Sequence, residues 1–239
     1  TGRAKLKMTL GEALTAARAK IDRLDARLLL QYATGCTHTD LLARPETPLI
    51  APAYTQFAEW VDRRAAGEPL AYLVGEAEFR GRVFQVSPAV LIPRPETEVL
   101  IELALEKLNG LASPMAVDLG TGSGIVAISL ALESPAAKIA AVDISEEAIF
   151  VARNNAGRLG ASVDFFQGDW LAPLAGKRFD LIVSNPPYVA HGDPHLALNG
   201  LPFEPQLALT DGADGLDCIR RIVADAPAHL NPGGWLLFE

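Results

Sequence analysis

The sequence predicts an α/β fold, a mostly parallel sheet with helices on both faces and a small helical bundle in front of it, and three observations carry the prediction. Short apolar runs of strand length alternate with helical stretches from about residue 95 onward, the pattern of strands joined by crossover helices. The glycine-rich turn Gly120-Thr121-Gly122-Ser123-Gly124 lies between one such run and a helical stretch. Residues 1–73, in contrast, read as helices.

In chain order, Thr9-Leu10-Gly11-Glu12 has the form of a capping box, and Leu10, Leu14, Ala17, Ile21, Leu24 and Leu28 recur at helical spacing up to a stop at Gly35. Further helices are expected over Thr39 to Leu42 and Ala53 to Ala66, with Gly67 past the end. Residues 74–93 are expected to form a linker, a β-hairpin of Glu76 to Phe79 and Arg82 to Val86 around the turn Arg80-Gly81. From residue 94 to 239 the sheet domain follows. Pro95 suits a first helical turn, with Glu96 and Glu98 near the positive end of the helix dipole; the acidic pair is either helix-start chemistry or part of a site wall. Strands are expected near residues 115–119, 138–142, 163–167, 179–184 and 235–238, with helices between them.

The most informative residues are Asn185-Pro186-Pro187-Tyr188, directly after the apolar run Phe179 to Ser184. Two prolines in series restrict the backbone at Asn185 and Pro186. The Asn185 side-chain oxygen and the Pro186 carbonyl can then accept the two hydrogens of a planar –NH2 group, with the Tyr188 ring against its face. The alternative is an ordinary turn-rich loop after a strand. Upstream, Ala116-Val117-Asp118-Leu119 reads as a buried strand, and the glycines after it allow a nucleotide-like ligand to approach the backbone at a helix N-terminus. Asp143, ending the strand Lys138 to Val142, is placed to accept from ribose hydroxyls. The stretch Gly122-Ser123-Gly124-Ile125-Val126-Ala127 also satisfies a dinucleotide fingerprint, so a nicotinamide dehydrogenase competes with an S-adenosylmethionine enzyme. No hydride-transfer acid or base stands out downstream, and the Asn-Pro-Pro-Tyr segment decides for S-adenosylmethionine. Asp169-Trp170, after the strand Val163 to Gln167, supplies a carboxylate for an adenine amino group and an indole to pack on its ring, or is a purely structural pair.

Several classes are disfavoured. His191 and His195 have i, i+4 spacing, but Asp193-Pro194 interrupts a helix there, so no metal site is expected. Cys36 and Cys218 fall in different expected domains and are read as reduced, inert thiols. No run reaches the length of a membrane helix, and the start at residues 1–5 lacks a signal peptide's apolar segment, so an intracellular protein is expected. Residues 1–75 carry ten Lys/Arg against eight Asp/Glu, and residues 83–239 nine against nineteen. The acidic half lacks the basic footprint that binding phosphates normally requires.

The segment Asp118 to Gly124, Asp143, Gly168-Asp169-Trp170 and Asn185 to Tyr188 together resemble a class I S-adenosylmethionine-dependent methyltransferase, with a Rossmann-like sheet, that acts on planar amino nitrogens. Three further segments narrow the resemblance: Gly67 to Gly75 (GEPLAYLVG), Leu91 to Glu98 (LIPRPETE), and Phe203-Glu204-Pro205 with Ala208-Leu209 and Asp214-Gly215-Leu216. They are similar to the peptide chain release factor glutamine N5-methyltransferases, the HemK/PrmC family, from about residue 9 to the last residue. Asp211 departs from the family's repeated glycine.

The resemblance implies methyl transfer from S-adenosyl-L-methionine, leaving S-adenosyl-L-homocysteine, to a glutamine side-chain nitrogen in a release factor. Asn185, Pro186 and Tyr188 would be catalytic, and Asn185 to Tyr188, Pro187 included, would hold the substrate. Asp118, Gly120, Thr121, Gly122, Ser123, Gly124, Asp143, Asp169, Trp170 and Asn185 would hold the cofactor. The bundle would dock the factor, or is only a stabilising cap. A monomer in the cytoplasm is expected, with an organellar matrix as the alternative, and no direct nucleic-acid or membrane partner. The family's sheet runs on past a fifth strand, so a truncated sheet ordered 3-2-1-4-5 with an uncovered or paired fifth edge is expected. The rival readings are a nucleic-acid amino-methyltransferase, on adenine N6 or guanine N2, and a noncatalytic S-adenosylmethionine-binding module.

Overall fold

The computed structural model describes residues 8–198 and 200–239, so the polar start at residues 1–5 lies outside them. Two compact units divide the chain, Thr1–Val74 and Gly75–Glu239.

In the first unit the apolar spacing conceals a break. The stretch expected to run from Leu10 toward Gly35 is two helices, α1 (Leu10–Ala17) and α2 (Arg23–Thr34). The Asp22 carboxylate accepts from the Leu24 N–H at 2.7 Å and starts the second helix, so residues 18–22 reset the helical phase. The face buried on α2 is therefore Ala26, Leu29 and Leu30, while Leu24, expected inside, is 50% exposed. Thr9 and Glu12 form the expected capping box, and α2 stops at Gly35 in the left-handed region. α3 (His38–Ala43) and α4 (Ala51–Ala65) follow, each slightly longer than its sequence signal, and α5 (Leu70–Val74) is a short helix that the sequence reading omitted. Leu10, Leu14, Leu29, Leu30, Phe57 and Val61 make one apolar core.

The second unit opens with the hairpin, β1 (Glu76–Phe79) and β2 (Arg82–Gln85). Arg80 and Gly81 both have positive φ, 49° and 70°, which matches the right-handed twist of a tight hairpin. The hairpin packs into the core of this unit. Phe84 is fully buried beside Phe79, their ring centroids 6.4 Å apart, and both join Leu100, Ile101 and Ile128. Glu133 accepts from Arg80 and Arg82, each at 2.8 Å, and ties the hairpin to the end of a helix of the sheet domain.

Among the described residues that domain has five parallel strands, β3 (Met115–Leu119), β4 (Lys138–Asp143), β5 (Val163–Gln167), β6 (Phe179–Ser184) and β7 (Leu230–Phe238), ordered β5-β4-β3-β6-β7, which is the expected 3-2-1-4-5. Side chains alternate between two cores, as buried parallel strands require. Ala116, Ile139, Ala141, Leu181 and Val183 face α6 (Thr97–Leu108) and α7 (Ile125–Glu133). Val117, Leu119, Ala140, Val142 and Ile182 face α10 (Asp217–His229) through Ile222 and Ala226. The connection α8 (Glu146–Leu159) follows β4, and the one-turn helix α9 (Gln206–Leu209) precedes α10.

Some boundaries differ from the sequence reading by one residue, β2 ending at Gln85 and β4 at Asp143, and two differ for a visible reason. α6 starts at Thr97, with Pro95 in the turn before it, because the first bonds of that turn are short-range ones from Glu98 to Pro95 and from Val99 to Glu96. The last strand starts at Leu230 rather than 235: Leu230 pairs with Phe179, and after an irregularity Trp235 pairs with Leu181. Asn-Pro-Gly-Gly at residues 231–234 reads as a turn, but it is carried within the strand by the bond from Asn231 Nδ2 to Asp180 at 2.8 Å. Among the described residues no helix is long and apolar enough to cross a membrane.

Replacing Phe84 by Ala should destabilise the second unit by about 3–5 kcal/mol, because it empties a fully buried aromatic site. Urea unfolding measures this, and a loss below about 1 kcal/mol would mean that the hairpin is peripheral to the core.

Candidate active site

Register brings the strand ends level: Leu119 pairs with Val142 on one side and Ser184 on the other, so the loops after β3, β4 and β6 leave the sheet together. In open parallel sheets this edge is where ligands bind. Around it lies a cavity of about 570 Å³.

The glycine loop is held from several sides. The Asp118 carboxylate, 2% exposed, accepts from the Thr121 hydroxyl at 2.6 Å and from the Ala127 N–H at 3.3 Å. Asp143 accepts from the Gly122 N–H at 2.9 Å and the Ser145 N–H at 3.0 Å. The Gly120 and Thr121 N–H groups both donate to the Val142 carbonyl. Asn155, fully buried on α8, donates to the Ser123 carbonyl at 2.9 Å. Glycine is required at two positions for different reasons. Gly122 has φ +55° and a Cβ there would stand in open space, whereas at Gly124, φ +86°, a Cβ would lie 2.8 Å from Ile128 and 3.1 Å from Ala152. Gly122 leaves the backbone open to the cavity; Gly124 lets α7 pack on α8.

The second wall follows β5. Trp170 has φ 47°, and its ring lies 3.4 Å from where a Cβ on Gly120 would be, so the indole runs along the glycine loop. Asp169 is paired with Arg221 of α10, a partner that the sequence did not reveal.

After β6, the Ser184 hydroxyl donates to the Leu119 carbonyl at 2.7 Å and fixes the start of the Asn-Pro-Pro-Tyr segment. Beyond it, the Val189 N–H donates to the Leu209 carbonyl and the His191 N–H to the Ala213 carbonyl. Gly215 packs so closely on Tyr188 that a Cβ would overlap its carbonyl oxygen, which gives Asp214-Gly215-Leu216 a packing role. The side-chain amide of Asn185 has no hydrogen-bond partner among the described residues.

Of the residues singled out in the sequence, Asp118, Gly120, Thr121, Gly122, Ser123, Asp143, Asp169, Trp170, Asn185 and Pro187 line the cavity. Gly124, Pro186 and Tyr188 do not; Pro186 is buried behind the wall and Tyr188 is 53% exposed. Glu96 and Glu98 are absent from the lining, where Arg94 and Thr97 stand instead. Sequence reasoning missed the pair Arg94–Glu204, which joins segments 110 residues apart. The available signal was a lone glutamate among Leu201-Pro202-Phe203 and Pro205. His195 is turned onto Asp193, 2.7 Å away. The acidic group Asp211, Asp214 and Asp217 is already engaged: Arg220 pairs with the last two and backbone N–H groups occupy Asp211.

Residues 9–75 match the PrmC N-terminal domain and residues 96–200 the methyltransferase small domain. A protein of Burkholderia pseudomallei (strain K96243) named release factor glutamine methyltransferase is 50% identical over 226 residues, covering 92% of this chain and 79% of the relative. This chain belongs to the release factor glutamine methyltransferase family. Another member, from Moorella thermoacetica (strain ATCC 39073 / JCM 9320), is 47% identical and covers 98% of this chain and 84% of its own length. Among solved structures, the T. thermophilus 16S rRNA N2 G1207 methyltransferase (RsmC), in complex with AdoMet and guanosine, matches 68% of this chain and 40% of its own. Its TM-score is 0.50 at 23% identity, which shows a shared fold.

The electrostatics of this family member's glycine loop are set by burial. Asp118 is pushed up from 3.8 to about 7 by desolvation, against the opposing hydrogen bonds from Thr121 and Ala127, and the Asp143 charge pushes the same way. Asp143 is itself raised, again by burial, with the Ser145 and Gly122 N–H groups opposing. A folded-state pKa above the unfolded one means that the folded protein keeps a proton the unfolded chain has lost. Its contribution is fully present below about pH 4 and is lost as pH rises to about 7. Relative to Asp118→Asn, wild-type stability should therefore fall across that window, by roughly 4 kcal/mol at most. Urea titrations of both proteins from pH 4 to 8 measure this; a difference that does not change with pH would show an ordinary carboxylate.

Proposed function

We propose that this protein transfers a methyl group from S-adenosyl-L-methionine to the side-chain amide nitrogen, N5, of a glutamine in a peptide chain release factor. The observation that carries the reading is the 50% identity across 92% of the chain with a relative of that name. It is supported by the Asn185 amide, which has no hydrogen-bond partner among the described residues, and by the glycine loop, which shares its cavity.

The residues present fit the cofactor. The open backbone at Gly122 would accept a close ligand, Asp143 retains acceptor capacity beside its two N–H bonds, and Trp170 offers a ring along the loop. Because Asp169 is already paired with Arg221, we assign the adenine end to Trp170 first and to Asp169 second. S-adenosyl-L-methionine would supply an electrophilic methyl group on a positively charged sulfur and leave as S-adenosyl-L-homocysteine.

The chain's own residues deal with a poor nucleophile. An amide nitrogen shares its lone pair with the carbonyl. In our reading, the Asn185 side-chain oxygen accepts one of its N–H groups and Pro187 limits its movement from the cavity wall, while Pro186, buried outside the lining, would contribute only through its carbonyl and the half-exposed Tyr188 only against substrate outside the cavity. Transfer would form the N–C bond as the S–C bond of the bound cofactor breaks, and the nitrogen, then strongly acidic, would lose a proton to solvent. No dedicated strong base is needed. The N-terminal unit is assigned to docking the factor, supported by its match to the PrmC N-terminal domain. The same reading takes the protein as a cytoplasmic monomer, and the acidic sheet domain favours a protein substrate over nucleic acid.

Labelled cofactor incubated with purified release factor, RNA or DNA should mark the factor alone; label in nucleic acid would select the rival, and no label anywhere would select a binding module. Asn185→Ala should lower turnover by roughly 10²-fold or more while cofactor affinity changes much less, and unchanged turnover would remove Asn185 from the mechanism. Gly122→Val should abolish cofactor binding, since it places a β-branched side chain at φ +55° beside the cavity; normal affinity by calorimetry would refute the loop assignment.

A further inference from the structure

One charged pair on the cavity wall is unused by this mechanism. Glu204 follows the short 3-10 turn Leu201–Phe203, and its side chain is 2% exposed. One carboxylate oxygen accepts from Arg94 Nη2 at 2.6 Å and the other from the Ile92 N–H at 3.1 Å. Arg94 is 31% exposed and lines the same cavity as Asn185. Its Nε and Nη1 donors have no partner among the described residues.

Charge decides what those donors suit. A guanidinium with an uncompensated charge at a cavity is a phosphate or carboxylate site. Here the buried Glu204 balances that charge at contact distance, and an incoming anion would also face the carboxylate behind the arginine. What remains is directional N–H donors on a neutral pair, which match a neutral carbonyl oxygen.

We propose that Arg94, positioned by Glu204, is a substrate-binding residue that takes a neutral carbonyl oxygen of the glutamine-bearing peptide segment. The proposal rests on the protein-substrate reading above and adds the residue that recognises peptide rather than phosphate. Glu204 is the positioning residue: by holding Arg94 and the Ile92 N–H it joins the loop before α9 to the segment before α6.

The test uses the full chain and two conservative variants, because Arg94→Ala would strand a buried carboxylate and confuse binding with unfolding. Arg94→Lys keeps the charge against Glu204 but removes the planar donors, so KM for the release factor should rise about tenfold, more than kcat falls, with the cofactor Kd within about twofold of wild type. Glu204→Gln keeps an acceptor for Ile92 and uncovers the arginine charge. Inorganic phosphate should then bind the variant, by calorimetry, at least about tenfold more tightly than it binds wild type. A wild-type KM in Arg94→Lys, a rise matched by equal loss of cofactor affinity, or equal phosphate binding by wild type and Glu204→Gln would each overturn the proposal. Failure of the wild-type protein to methylate any release factor would instead sink the underlying reading, and the phosphate comparison would still report on the pair.

Discussion

Two carboxylates at the ends of adjacent parallel strands hold the site together. Asp118 and Asp143 accept N–H and O–H groups from residues 121, 122, 127 and 145, so the glycine loop is tied to β3, to β4 and to the first turn of α7. Both carboxylates are raised by burial, and the hydrogen bonds oppose that shift. A buried acid is costly unless its lone pairs are satisfied, and here they are met by the Thr121 hydroxyl and by backbone N–H groups of the loop at Gly122, of α7 at Ala127 and of the turn before α8 at Ser145. The bonds that hold the loop are all made by the chain itself, and a loop restrained in this way loses less entropy when a ligand is bound.

The face opposite in chemistry is built from loops. Asn185 to Tyr188 is rigid for two unrelated reasons: the prolines restrict its backbone, and its exit is bonded to residues 209 and 213 while Gly215 lies against it. The buried Glu204 does the corresponding work for the segment before α6. Transfer between two positioned groups depends on distance and alignment more than on acid–base strength, so a site of this kind places its structure in the backbone and leaves few side chains to titrate. The Asn185 amide, without a hydrogen-bond partner among the described residues, stands on this stiff support.

The division of labour in the second unit follows from the hairpin. Phe79 and Phe84 cover α6 and α7 on one face of the sheet, and Asn155 bonds both to the end of β2 and to the Ser123 carbonyl of the glycine loop. One buried amide thus couples a hairpin that reads from the sequence as a linker to the centre of the site. The outward-facing strand β7 carries a half-exposed Trp235 under the Lys107 ammonium, 4.5 Å from the ring centre.

Local sequence by itself determined the strands, the glycine turn, the hairpin turn at Arg80-Gly81 and the Asn-Pro-Pro-Tyr segment, because apolar period, positive-φ demand and proline stiffness act within a few residues. It also determined the strand-end placement of Asp118, Asp143 and Asp169. It misjudged the phase of α2, since a five-residue break leaves apolar spacing intact while turning Leu24 outward. It misjudged the start of β7 as well, since Asn231 to Gly234 is turn-like alone and is held in the strand by Asp180 of its neighbour. Only the tertiary structure decided that Gly122 opens to the cavity while Gly124 serves helix packing, that Asp169 is paired with Arg221, and that Arg94 meets Glu204. These are contacts across 28 to 110 residues of chain. Their partners are chosen by strand order and register, and no local periodicity encodes which distant side chain a fold will bring alongside.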